Sequence, residues 1–376
     1  MIKIYIQLFI SKILYPISYL FPVKKNRVIF KSYDLKYNCN TKYLCEFLNK
    51  KHNNEFELVY VVKDDKHAEE LNKKGIKTCK NSSLKYHYYM FTSGFIIVNQ
   101  SYPQYIPKKK NQVSIFTDHG LTLFKYYKTF SEKENKILKN QSKKFDKLLF
   151  SSKLDAFFGK EKFGCNEDRI LYSGLPRVSL FFDENFKCEI DIKKQLGIDE
   201  NIKTILYAPT FRADHKKKKI ENDFAKIINA CEKRFGGKFI ILNRDHNFTL
   251  LDDGSKYSKK YIIECNSIED TQELLYSCDV IISDYSSLIW DVSFSKKPCF
   301  LYMYDLDEYQ KTWGFNTDPS KWPYPIAKNI DDLCNSIINY NESEYFERIK
   351  EFHNYVGLYE KGDSCEQIYD YMKSKM

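Results

Sequence analysis

The chain has 376 residues, 43% hydrophobic and 29% charged, which excludes a disordered or fibrous polymer and leaves room for two α/β domains with separate cores. Its formal net charge of +10 favours anionic partners, among them nucleotides, phosphate-bearing substrates, membrane surfaces and nucleic acids. Eleven scattered cysteines without a C-x-x-C pair argue against a disulfide framework or a zinc site and read as reduced thiols in a cytoplasmic protein.

Residues 1–23 (MIKIYIQLFISKILYPISYLFPV) are apolar but broken by Lys3, Lys12, Pro16 and Pro22. They fall short of the about 20 uninterrupted apolar residues that a spanning helix needs. Two readings stand: an amphipathic segment lying on a membrane, helped by Lys24, Lys25 and Arg27, or a helix packed on the protein's own core. The pattern then predicts strands over 27–32, 57–62 and 94–99, with helices over 41–50 and 65–74 between them and Gly75 ending the second. Strands alternating with helices imply a parallel sheet. A further strand, 113–117, ends at Asp118-His119-Gly120. Glycine lets the backbone approach a ligand closely, and a histidine at a strand's carboxyl end is placed either for proton transfer or for a structural hydrogen bond. The segment around Lys125 and Lys128 reads as a mobile basic surface.

Residues 178–200 read as a linker, which sets a membrane-associating segment at 1–25, an N-terminal Rossmann-like domain at 26–185 and a C-terminal one at 186–376, the last helix being able to pack back on the first domain. The strand 204–208 runs into Pro209, Thr210, Phe211 and Arg212, placing a hydroxyl and a guanidinium suited to bidentate phosphate contact at one sheet edge. A strand at 238–243 leads to Arg244-Asp245-His246-Asn247, a second histidine at a strand end. Residues 280–282 then meet Ser283, Asp284, Tyr285, Ser286 and Ser287, with a helix expected from near Ser286. Its free N–H groups and two hydroxyls suit a phosphate, although such serines also serve as plain N-caps. A strand over 297–302 delivers Asp305, Asp307 and Glu308 to the next loop. Asp305 and Asp307 have D-x-D spacing but read as acidic loop residues, so no metal and no other cofactor is expected. Lys361-Gly362-Asp363-Ser364 precedes a last helix, 365–373, and offers another glycine-and-serine helix start. The sequence holds no G-x-x-x-x-G-K-[ST], no G-x-G-x-x-G and no G-x-S-x-G, which argues against P-loop, NAD-binding and hydrolase readings.

The HG after a strand, YAPTFR, a histidine in an R-x-H loop, SDYSSLIWD, KP followed by YDLDEY, a later GF loop and a terminal GDSCEQI together resemble the CDP-glycerol glycerophosphotransferase family of teichoic-acid and capsule polymer enzymes. The likeness runs over roughly residues 20–370 and rests on the order and spacing of seven short motifs. It implies a GT-B fold, two Rossmann-like domains with parallel sheets facing a central cleft. It also implies a peripheral enzyme on the cytoplasmic face of the membrane. Such an enzyme transfers a polyol phosphate from a CDP-polyol donor to a hydroxyl of a lipid-linked or polysaccharide acceptor, releasing CMP, with no nucleic-acid partner. By the resemblance, His119 and His246 are the catalytic histidines. Gly120, Thr210, Arg212, Asp284, Ser286, Ser287, Asp291, Gly362 and Ser364 fall on donor-binding positions. Two departures from the family pattern are visible. The HG is followed by Leu121-Thr122-Leu123-Phe124-Lys125 instead of a Thr-Pro-Leu-Lys type sequence, and Asn247 stands where the second histidine loop usually has proline. Two rival functions remain open at this level: a GT-B glycosyltransferase using a nucleotide sugar, and a non-enzymatic membrane-surface module.

Overall fold

The computed structural model describes residues 2–126, 131–188, 191–210, 224–244 and 261–376. Arg212 and His246, like Lys128 and Asn247, lie outside the described residues. The chain divides into two compact units, one of Met1–Thr122, Phe130–Asp183 and Gly357–Met376, the other of Leu123–Thr129 and Glu184–Val356.

The first unit is built on seven strands, β1 (Lys24–Lys31), β2 (Glu57–Val62), β3 (Lys77–Lys80), β4 (Ser93–Val98), β5 (Val113–Phe116), β6 (Lys147–Phe150) and β7 (Ile170–Tyr172), paired in the order β3-β2-β1-β4-β5-β6-β7. Every pairing is parallel. Parallel strands must be covered on both faces, which is why ELVYVV and SGFIIV are nearly unbroken apolar runs. Side-chain alternation sorts each run between two cores. Ile29, Val59, Val61 and Ile96 pack with the helices Leu84–Thr92 and Lys153–Phe163. Val28, Phe30, Leu58 and Tyr60 pack on the opposite face, where Cys365, Ile368 and Met372 of the helix Ser364–Lys373 join them.

The second unit repeats the plan with β8 (Ile202–Tyr207), β9 (Lys238–Asn243), β10 (Ile262–Glu264), β11 (Val280–Ser283), β12 (Cys299–Tyr302) and β13 (Ile326–Ala327), ordered β10-β9-β8-β11-β12-β13 and again parallel. Strand order reverses next to β1 in the first unit and next to β8 in the second. In open α/β sheets the crevice at such a reversal, beyond the strands' carboxyl ends, is where ligands bind.

Two expectations are corrected and one element is added. The helix after SDYSS is short, Leu288–Val292, because the chain turns at Ser293 to feed β12. The segment around Lys125 is not free surface as far as it is described: Leu121, Leu123 and Phe124 are buried, Phe124 stands edge-on to Trp322 at 5.0 Å, and Lys125 bridges to Phe315. Residues 330–338, for which no element is expected, form the amphipathic helix Ile330–Ile338, capped by Asn329. Among the described residues no helix is long and apolar enough to cross a membrane.

Candidate active site

In the first unit, three loops leave the carboxyl ends of β1, β4 and β5 at the reversal of strand order. The β5 loop carries His119. Asp118 turns the chain with a left-handed φ of 51°, and its Oδ1 accepts the N–H of His119 at 2.7 Å and that of Gly120 at 3.2 Å. Burial alone would push the Asp118 carboxyl up, but the His119 ring, Lys162 and those two N–H donors hold it below the usual carboxylate range. His119 Nδ1 lies 2.9 Å from the carbonyl oxygen of Asn99, at the end of β4, and 3.4 Å from Asp118 Oδ1. Both of those oxygens only accept, so the neutral ring carries its proton on Nδ1 and leaves the Nε2 lone pair without a partner among the described residues. The side chain is 47% exposed, so Nε2 can meet a substrate hydroxyl.

This loop is held from below. Asn40, fully buried at the start of the helix Cys39–Lys51, donates its amide hydrogens to the carbonyls of Thr117 (2.8 Å) and Asp118 (2.9 Å) and accepts the Arg177 N–H at 3.1 Å. Asp155, buried in the helix Lys153–Phe163, accepts both the N–H (2.9 Å) and the hydroxyl (2.7 Å) of Thr122. Burial, with the Asp118 charge adding to it, pushes the Asp155 carboxyl up to about 6.

The second unit uses the same device at its own reversal. Asp284, at the end of β11, accepts the N–H of Tyr285 at 2.5 Å and, across to the end of β8, the N–H (2.8 Å) and hydroxyl (2.7 Å) of Thr210. The loop thus presents Ser286 and Ser287, both half-buried, while Asp284 itself is 1% exposed. Ser286 Oγ accepts the Leu288 N–H at 3.3 Å, and Ser287 makes no side-chain cap bond. Asp291 is buried and accepts from Gln272 Nε2 at 3.0 Å. Tyr285 stacks on Tyr309 with ring centroids 3.7 Å apart and donates to Asp305 at 3.0 Å, joining the SDYSS and YDLDEY stretches. Asp307 pairs instead with Lys328 at 3.6 Å on the surface.

The family model for CDP-Glycerol:Poly(glycerophosphate) glycerophosphotransferase matches residues 13–374. This chain belongs to that family. The family's CDP-glycerol glycerophosphotransferase activity makes it a transferase. It is similar to the teichoic acid poly(glycerol phosphate) polymerase of Bacillus spizizenii, 26% identical over 375 residues that cover 96% of this chain and 95% of the relative. Against the polymerase of the same description from Bacillus subtilis it is 26% identical over 92% of its length and spans about half, 48%, of that longer relative. A solved structure of the wall teichoic acid polymerase TagF superposes with a TM-score of 0.79 at 22% identity, covering 100% of this chain and 98% of the other. The fold is therefore of the GT-B kind that the motifs imply.

Within the glycerophosphotransferase, His119, Gly120, Gly362 and Ser364 belong to the first unit, and Thr210, Asp284, Ser286, Ser287 and Asp291 to the second. Glu360 organises the terminal pair. Its carboxylate accepts the N–H of Leu175 at 2.6 Å and that of Gly362 at 3.1 Å. Gly362 has φ +81°, and a Cβ there would lie 2.6 Å from Phe182 Cβ, so only glycine fits. Ser364, fully buried at the first turn of its helix, has a hydroxyl with no hydrogen-bond partner among the described residues. Sequence reasoning missed Asn40, Asn99, Asp155 and Glu360. The one local signal was the polar Asn99 closing the apolar run GFIIVN. Arg244, read only as part of the R-x-H loop, is an anchor that donates to the Ile268 carbonyl at 2.7 Å and to Thr271 Oγ1 at 3.0 Å.

Proposed function

We propose that this glycerophosphotransferase moves a polyol phosphate, glycerol phosphate foremost, from its CDP-activated donor to a hydroxyl of a lipid-linked or polymer acceptor at the cytoplasmic face of the membrane. The observation that carries the reading is the His119 tautomer: Nδ1 is committed to the Asn99 carbonyl and Nε2 is left to accept a proton. The acceptor oxygen attacks the β-phosphorus of the donor while its proton passes to Nε2. A new P–O bond forms, the bond to CMP breaks, and its electron pair leaves on the CMP phosphate.

That departing charge calls for hydrogen-bond donors and cations. Support for donor roles differs among the residues. The hydroxyls of Thr210, Ser286 and Ser287 stand at the reversal point of the second sheet, and the unpartnered Ser364 hydroxyl stands at a helix start beside Gly362. Asp284 and Asp291, buried and bonded to Thr210 and Gln272, act through those partners, since a bare carboxylate against a phosphate would repel it. Arg212 and His246 keep the phosphate-contact and second-histidine roles that the family implies. The Ile2–Ser18 helix, with Ile6, Phe9 and Ile13 at least half exposed, supports a membrane-facing role for the first unit.

The test is CMP release from CDP-glycerol, with CDP-ribitol and UDP-sugars in parallel, using wild type and His119→Ala and a membrane extract as acceptor. Release that requires a CDP-polyol and falls by about 10²-fold or more in His119→Ala is expected for loss of a general base. Turnover of a UDP-sugar with neither CDP-polyol consumed would overturn the reading.

A further inference from the structure

The β1 loop packs on His119 in a way the reaction chemistry alone does not require. The Tyr33 ring lies flat on the imidazole, centroids 5.0 Å apart and planes within 8°. Tyr33 is 42% exposed, so core filling does not explain where it sits. The chain adopts costly backbone to put it there. Asp34 (φ 54°) and Leu35 (φ 59°) are both left-handed, and Cys39 (φ 57°) and Asp118 (φ 51°) are left-handed in the same two loops. Of the six non-glycine residues with positive φ among the described residues, four therefore lie in the stretches after β1 and β5 that carry Tyr33 and His119. Strain of this kind persists only where surrounding contacts enforce it. Those contacts are present: the Tyr33 N–H donates to Asn99 Oδ1 at 2.6 Å, and the Ser32 hydroxyl bonds the Lys36 carbonyl. Asn99 holds both partners of the stack, the tyrosine loop through its side chain and the His119 ring through its main-chain carbonyl.

We propose that Tyr33 is a positioning residue of the transfer reaction, its ring pinning the His119 imidazole in the one orientation that keeps Nδ1 on the Asn99 carbonyl and Nε2 free for the acceptor proton. The inference rests on the reading of His119 as the base. A half-exposed imidazole without this platform would turn about its side-chain torsions, lose the Asn99 bond and populate both tautomers. The stacking face acts here, not the phenol oxygen, so phenylalanine should replace tyrosine and alanine should not.

The experiment uses the full chain as wild type, Tyr33→Phe, Tyr33→Ala and His119→Ala. It measures kcat and KM for CDP-glycerol with a membrane-extract acceptor, together with ¹⁵N shifts of labelled histidines, the His119 signals being assigned by their absence in His119→Ala. Tyr33→Phe should keep kcat within about threefold, and Tyr33→Ala should lose about tenfold or more in kcat with donor KM little changed, as misorientation of a proton acceptor predicts. In wild type and Tyr33→Phe the ¹⁵N shifts should report a proton on Nδ1, and in Tyr33→Ala a mixture of tautomers. A role in folding alone would lower the melting temperature without this tautomer signature. Loss of activity in His119→Ala beside an unaltered kcat or an unaltered ¹⁵N spectrum in Tyr33→Ala overturns the positioning role and leaves the base intact. Full activity in His119→Ala removes the base, and the positioning role with it.

Discussion

A carboxyl group as deeply buried as Asp155 is favoured in its protonated form, yet one of its oxygens is committed to accepting from the backbone and hydroxyl of Thr122. Its folded value of about 6 stands above the ordinary 3.8, so the folded chain holds that proton more tightly than the unfolded one. The stabilisation this gives is complete below about pH 4 and is lost as pH rises through 6, a change of about 3 kcal/mol at most for a shift of this size. Asp155→Asn keeps an oxygen for Thr122 and removes the titration. Its stability relative to wild type should therefore rise between pH 5 and pH 7.5, as read from denaturant unfolding at several pH values. A difference that stays constant with pH would refute the burial argument. Nothing in the local sequence KLDAFFGK marks this aspartate, because both the burial and the Thr122 contact arise only when the helix packs beneath the β5 loop.

Helix and loop are coupled more tightly at Asn40. Its single side chain ties the start of the helix Cys39–Lys51 to the end of β5 and to the turn Pro176–Phe181, contacts that reach 77 and 137 positions along the chain. Asn40→Ala would leave the buried Thr117 carbonyl and Arg177 N–H, and the part-buried Asp118 carbonyl, without this partner, a loss of about 2–4 kcal/mol, and would free the His119 loop as well. Chemical denaturation and CMP release should both report it, whereas a stability within about 0.5 kcal/mol of wild type, the range of an indifferent surface change, would mean that water replaces all three bonds. The same contrast explains how much was legible beforehand. Strands such as ELVYVV and GFIIVN announce themselves because a sheet covered on both faces needs continuous apolar runs, and HG and SDYSS sit where those runs stop. The edge strands β3 (KTCK) and β13, of four and two residues, have no room for a pattern. Tyr33 and Asn40 were invisible for another reason: each acts on a loop distant in sequence, and local composition holds no trace of that contact.

The charge and the N-terminal helix make sense only at the scale of the complete chain. Of the two readings of residues 1–23, packing on the protein's own core is what part of the helix Ile2–Ser18 and the turn after it do, and the exposed side leaves membrane contact as a proposal. The helix's inner side belongs to the protein: Leu14 and Phe21 pack against the first core, and Lys109, itself buried, donates to the carbonyls of Ser18 (3.1 Å) and Phe21 (2.7 Å) at the helix end. Its outer side carries Ile6 (52% exposed), Phe9 (65%) and Ile13 (50%), spaced three and four residues apart along one stripe, and Leu20 (78%) is exposed in the turn beyond the helix. A stripe fixed to the body in this way offers a bilayer about 1.5–3 kcal/mol per large side chain buried, and a net charge of +10 adds attraction to anionic lipid that salt weakens. Replacing Ile6, Phe9 and Ile13 together by serine should then cut binding to anionic vesicles by about tenfold or more, while the melting temperature stays near wild type because none of the three packs in the core. CMP release should fall when the acceptor is embedded in membrane and be unchanged with a short soluble acceptor. Vesicle co-sedimentation of the triple variant equal to wild type at both low and high salt would sink this docking face.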